Sequence, residues 1–184
     1  MIMPTWIWLF IVLTGSLFGL KMIYVLCTAA ALPATQGALY VSTTRTRIAA
    51  FLAAVPMKPE QVLVDLGCGD GRVLRYARRR CKVRAIGFEL NLLAYLKAQV
   101  LCIGLKNIEI RLKNFWSQNL AEADVVFCYL YPDVMQKLAA KLKAELKSGT
   151  FVVSCNFALP GFKSLRVLRP EGSLHNDPIY IYRA

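Results

Sequence analysis

The chain is poor in acids, in histidine and in paired cysteines. Asp and Glu number 11 against 23 Lys and Arg, and no acid occurs before Glu60. The single histidine, His175, has no partner motif and reads as a loop residue. The six cysteines (27, 68, 81, 102, 128 and 155) include no CxxC pair. This pattern argues against a zinc site and for reduced thiols in a reducing compartment, so no metal is expected. Internal repeats and low-complexity tracts are missing as well. Met1 to Thr5 carries no Lys or Arg, which a secretory signal would need, although the small residues Ala29-Ala30-Ala31 would suit a signal peptidase. A net charge of +12 invites a nucleic-acid reading, but no recognition module accompanies it, and nucleic acid is not an expected partner.

What the chain does have is apolar residues, 57% of the total with a mean hydropathy of +0.45. The excess lies at the start. From Trp6 to Leu32 only Lys21 would be charged. At ~1.5 Å of rise per residue such a run is long enough to cross a hydrocarbon core of ~30 Å. Trp6, Trp8 and Tyr24 suit the interfacial belts, and the Lys21 stem can snorkel. The reading is an uncleaved transmembrane helix. Arg45, Arg47 and Lys58 follow it and no basic residue precedes it, so the positive-inside bias puts the remainder in the cytoplasm. The missing basic amphipathic presequence favours a bacterial inner membrane over an organellar one. Residues 1–36 are thus expected to form anchor and joint, and residues 37–184 the catalytic domain. The run Arg78-Arg79-Arg80 with Lys82 reads as a solvated surface, one that would also suit anionic headgroups.

Beyond the joint, Thr43 or Thr44 could cap a helix through Ile48, Phe51, Leu52 and Val55 that ends before Pro56. Apolar runs then alternate with amphipathic stretches. Strands are expected at 61–66, 83–89, 108–112, 124–131 and 150–156, with helices at 71–80, 91–103 and 134–146. Two late strands fall near Leu165-Val167-Leu168 and Ile179-Tyr180-Ile181-Tyr182. Strands apolar on both faces and alternating with helices predict an α/β fold, a doubly wound Rossmann-like sheet, here closed by a C-terminal antiparallel hairpin.

In such sheets ligands bind at the carboxyl ends of the strands. The first strand runs into Asp65-Leu66-Gly67-Cys68-Gly69-Asp70-Gly71. Its glycines follow GxGxG spacing rather than the GxGxxG of dinucleotide binders. Asp65 beside them disfavours a pyrophosphate and suits the cationic amino group of a methionine moiety. These details point to S-adenosylmethionine. Asp70 can cap the following helix or touch the ligand, and Cys68 is a small filler in the loop. Glu89, ending the second strand, is placed to accept the ribose hydroxyls. Asn114 and Phe115, after the third strand, are placed for the adenine, with Trp116 packed beneath. Tyr129 and Tyr131, after the fourth, are candidates for positioning the methyl acceptor, through desolvation and cation–π attraction. Packing that caps the sheet is the alternative role for both.

The runs Val64-Asp65-Leu66-Gly67-Cys68-Gly69-Asp70-Gly71-Arg72-Val73 and Gly87-Phe88-Glu89-Leu90-Asn91 resemble the seven-β-strand methyltransferases. More narrowly the chain is similar to the FAM173-like protein lysine methyltransferases, from about residue 40 to 163. Those combine a hydrophobic N-terminal segment with a compact core and a Tyr-Val-Pro-Thr-like element, matched by Tyr40-Val41-Ser42-Thr43-Thr44. The resemblance extends to Val152-Val153-Ser154-Cys155-Asn156-Phe157-Ala158-Leu159-Pro160. It implies cofactor binding by Gly67, Gly69 and Glu89, an acceptor channel at Tyr40 and Thr43, and a lysine of a membrane-associated protein as acceptor. Ser42 in place of Pro, Leu92 in place of Pro and Asn114 in place of Asp depart from the family pattern. A lipid, a quinone or RNA is the alternative acceptor, although the segment after the fourth strand is not the Asn/Asp-Pro-Pro-Tyr/Phe element of base-amine methylation. A non-catalytic membrane scaffold that binds the cofactor is the alternative of another class.

Overall fold

The computed structural model describes residues 4–31, 42–170 and 177–184. The expected joint at 33–37, Tyr40 and His175 lie outside the described residues. A 27-residue helix, α1 (Thr5–Ala31), comes first, and its apolar stretch Thr5–Leu26 is wholly unburied. By length and composition it could span a membrane or serve as a signal sequence.

The remainder is a seven-stranded mixed sheet in the order β3-β2-β1-β4-β5-β7-β6. The strands are β1 (Val62–Leu66), β2 (Arg84–Glu89), β3 (Ile108–Leu112), β4 (Val125–Cys128), β5 (Phe151–Cys155), β6 (Arg166–Leu168) and β7 (Ile179–Arg183). The first five are parallel, and β7 runs antiparallel between β5 and β6. The predicted closing hairpin therefore exists, with its second strand inserted next to β5. The fourth strand is shorter than the expected 124–131. Its partner β1 turns away at Gly67, so the ladder on that side ends at Leu66↔Cys128, and the ladder with β5 ends at Cys128↔Ser154.

Helices α2 (Arg45–Ala54), α3 (Arg72–Cys81) and α4 (Leu92–Leu101) cover one face of the sheet, and α5 (Met135–Glu145) covers the other. Thr44 is the cap of α2, its hydroxyl accepting the Arg47 amide, and Asn91 caps α4 through the Leu93 and Ala94 amides. Both caps satisfy amide groups that a helix start leaves without intrahelical partners. On the first face Ile48, Phe51, Leu74 and Phe127 are fully or almost fully buried, with the Phe51 and Phe127 rings 5.0 Å apart. On the second, Leu66, Ile86, Leu138 and Leu142 meet Tyr182. Each such side chain contributes about 1.5–3 kcal/mol by leaving water. No residue of α1 joins either cluster among the described residues.

Candidate functional site

The β1–α3 loop turns on three glycines in the left-handed region, Gly67 at φ +83°, Gly69 at +55° and Gly71 at +69°. A side chain would strain the backbone at each. The Gly67 and Cys68 amides both donate to the Phe88 carbonyl, at 3.0 and 2.9 Å, which fixes the loop against the end of β2. Close approach also demands Gly87, which the GxGxG spacing does not single out. A Cβ there would stand 2.6 Å from the Cys68 sulfur and 2.6 Å from Leu74 Cδ1. The signal was available, since a glycine inside an apolar strand marks a close neighbour. At Gly71 a Cβ would meet Ile110, Cys102 and Ala98. That glycine therefore also serves the packing of α4 and β3.

Glu89 closes the loop from the other side. Its Oε2 accepts the Gly69 amide at 2.7 Å, and its Oε1 accepts the Leu90 and Asn91 amides, both at 2.8 Å. Asp70 Oδ1 accepts the Arg72 amide at 3.1 Å, starting α3, while Arg72 and Lys97 approach Oδ2 at 3.4 and 3.8 Å. Arg72 also donates to the Thr43 carbonyl at 3.2 Å, which places buried Thr43 beside the loop.

Asp65 differs from its neighbours. It is 2% exposed and has no ion-pair partner among the described residues. Burial pushes its carboxyl well above the usual carboxylate range, and the charges of Glu89 and Asp70 push it further. A buried acid beside two others, near the end of β1 and next to a loop open to close backbone approach, calls for a cationic ligand group. An α-amino group or a sulfonium fits that demand, so the residues present suit S-adenosylmethionine. The Cys68 thiol is buried and raised by the same burial, which keeps it protonated and a filler.

Asn114 accepts the Trp116 amide through Oδ1 at 3.0 Å and starts a short 3-10 turn, Phe115–Ser117. The Phe115 and Trp116 rings lie 4.6 Å apart, half-buried against the second core face. Lys137 sits 4.5 Å from the Trp116 ring centre, and Lys141 donates to the Trp116 and Gln118 carbonyls, so Trp116 is held to α5 as a support.

Past β4, Tyr129 and Tyr131 diverge. Tyr131 is 37% exposed and precedes a 3-10 turn, Pro132–Val134. Tyr129 is half-buried, and its hydroxyl accepts the Asn156 side-chain amide at 3.2 Å. Arg47, which the sequence offered only as a charge after an apolar run, lies 4.9 Å from the Tyr129 ring centre and is 3% exposed. It donates to Asn156 Oδ1 and to the Pro178 carbonyl and pairs with Asp177 at 3.7 Å. These residues join α2 to the ends of β4 and β5 and the start of β7. Nothing in the local sequence marks such contacts.

Comparison with known proteins agrees with this geometry. The family model of the ANTKMT methyltransferase domain matches residues 65–166. A protein-lysine N-methyltransferase of Saccharolobus islandicus (strain REY15A) is 33% identical over 153 residues, covering 78% of this chain and 91% of that protein. The adenine nucleotide translocase lysine N-methyltransferase of Mus musculus is 33% identical over 147 residues, and this chain spans 62% of its length. Among solved structures, an RNA methyltransferase from Salinibacter ruber in complex with S-adenosyl-L-homocysteine superposes with a TM-score of 0.71 at 30% identity. That match covers 78% of this chain and 93% of the other.

Proposed function

Because the chain belongs to the family of the ANTKMT methyltransferase domain, and so is an S-adenosylmethionine-dependent methyltransferase, we propose that it methylates lysine side chains of a membrane-associated protein. The observation that carries this reading is the union of a lysine-methyltransferase-type core with α1, whose Thr5–Leu26 stretch has the length and hydropathy of a membrane span. Relatives named as lysine methyltransferases of adenine nucleotide translocase and of an ATP synthase component support the same substrate class. In this reading residues 1–36 are anchor and joint, 37–184 are the catalytic domain, and the domain faces the cytoplasm of a bacterial cell.

S-adenosylmethionine supplies an electrophilic methyl group on a sulfonium. Gly67, Gly69 and Gly71 give the close backbone approach, and Asp65 takes the cationic methionine end. Glu89 takes a ribose hydroxyl at Oε2. A carboxylate has about four acceptor positions, and backbone amides already occupy one on Oε2 and two on Oε1. Asn114 and Phe115 face the adenine. Thr43, Tyr40, Tyr129 and Tyr131 shape the acceptor channel, where desolvation favours the neutral amine that attacks.

The test is incubation of the purified protein with radiolabelled S-adenosylmethionine and membranes of a strain lacking it. Label on methyl-lysine of one protein band, lost in Glu89→Ala, supports the proposal; label confined to the lipid extract overturns it. A second reading, RNA as the acceptor, draws on the Salinibacter ruber neighbour and the +12 charge. It would require label in the RNA fraction of the same extract.

A further inference from the structure

Outside α1, six of the nine large apolar side chains left exposed among the described residues cluster at one edge of the sheet. They are Leu92, Leu96, Val100 and Leu101 of α4, Ile103 just beyond it, and Leu112 of β3. The inner side of α4 is already satisfied, with Ala98 fully buried and Tyr95 and Cys102 packed on the core. Leu92, Leu96, Val100 and Ile103 recur at spacings of four, four and three, one stripe of a helix. Val100 is 65% exposed and Ile103 is 77% exposed. A stripe this apolar on the outside of a domain marks a contact surface.

Three features identify what it meets. First, α1 passes close to α4, so the apolar span and the apolar stripe share one side of the molecule. Second, the stripe has a basic rim. Exposed Lys106 lies in the turn after α4, and Arg78 Nε donates to the Lys106 carbonyl at 2.9 Å. That bond brings the end of α3, with exposed Arg79 and Arg80, alongside. Third, a like-charged rim repels a second copy of this chain and attracts anionic headgroups.

We propose that α4 is a second, monotopic membrane contact, its Leu92–Ile103 stripe lying in the bilayer interface with the basic residues at the headgroups. The proposal rests on reading α1 as a membrane span. It deepens the proposed function, because α4 begins shortly after Glu89. With α4 flat on the bilayer, the carboxyl end of β2, from which α4 starts, lies near the headgroup layer, and the acceptor is a lysine close to that depth rather than one on a distant soluble domain.

The experiment places a polarity-sensitive fluorescent amino acid at Ile103 of the full chain, reconstituted in vesicles of phosphatidylethanolamine and phosphatidylglycerol. Control probes go at Val12 in α1 and at Ala140, exposed on α5 across the sheet. The expected result is blue-shifted emission at Ile103 that brominated acyl chains quench and aqueous iodide does not, with the reverse at Ala140. Val12 in lipid with Ile103 in water overturns this proposal and spares the anchor. Val12 in water sinks the anchor reading, and with it the basis of this one. A blue shift at Ile103 without quenching by brominated lipid means a protein surface covers the stripe, and also overturns the proposal.

Discussion

A carboxyl buried beside two others makes the stability of the cofactor-free protein depend on pH. In the folded chain Asp65 has its pKa raised, first by burial and then by Glu89 and Asp70. A raised acid binds its proton more tightly folded than unfolded. Its contribution to stability is therefore present below the unfolded value and lost as pH rises through the folded one. The cofactor-free protein should melt at falling temperature across that window, and Asp65→Asn should melt higher and without that decline. The same variant should bind S-adenosylmethionine roughly ten- to hundredfold more weakly, the loss of a charged hydrogen bond worth about 1.5–3 kcal/mol. Calorimetric titration alongside thermal melts separates the two effects; an asparagine variant that melts lower than the parent contradicts the assignment. At Gly87 the expected outcome is steric. Gly87→Ala must displace Cys68 and Leu74, and should cost about 1–3 kcal/mol in urea unfolding. The glycine loop was readable in the sequence because each glycine answers a local backbone demand. Gly87 answers a neighbour 19 residues away in the chain, Cys68, which spacing alone does not announce.

At the scale of elements, hydrophobic periodicity places every strand and helix of the domain to within a few residues. Strand β3 matches the expected 108–112 outright; β1 and β2 lose their first residue, and β5 loses one at each end. β1, β4 and β5 are largely apolar on both faces because helices cover the sheet on both sides, whereas edge strand β3 alternates apolar residues with Glu109 and Arg111. The errors fall where tertiary context decides, as at β4, whose neighbour turns away. The cluster joining α2 to the sheet was invisible for the same reason. Arg47 finds Asn156 and Pro178 at separations of 109 and 131 residues, and no local pattern encodes such a meeting. Its Nε is buried and has no hydrogen-bond partner, so the guanidinium is held by only part of its donor set. Removing it in Arg47→Met would strand Asn156 and half-buried Asp177. A loss of about 1–3 kcal/mol is expected in chemical denaturation, with Tyr129 more open to solvent in fluorescence quenching. Retained stability and an unchanged Tyr129 would show the cluster to be dispensable.

At the scale of the molecule, neither core cluster contains a residue of α1 among the described residues, so the domain is expected to keep its interior when that helix is removed. The proposed role of α1 is to raise the local concentration of substrate. Deleting the first 31 residues should then leave turnover on a soluble lysine peptide unchanged and lower it on the same peptide embedded in vesicles by about tenfold or more. Equal losses on both would assign α1 a structural role instead. Sheet order carries a further consequence, for the timing of synthesis. Strand β7 is made after β6 yet lies between β6 and β5, so until it emerges β6 has no strand to join and β5 has one bare edge. The 24 residues from Asn156 through Ile179 take about one to five seconds to translate at ~5–20 residues per second. Through that interval β5, apolar but for Ser154, keeps a bare edge, on a nascent chain whose first helix is already out of the ribosome. The domain is therefore at its most aggregation-prone late in translation, and a chaperone that bound this protein would find its moment there.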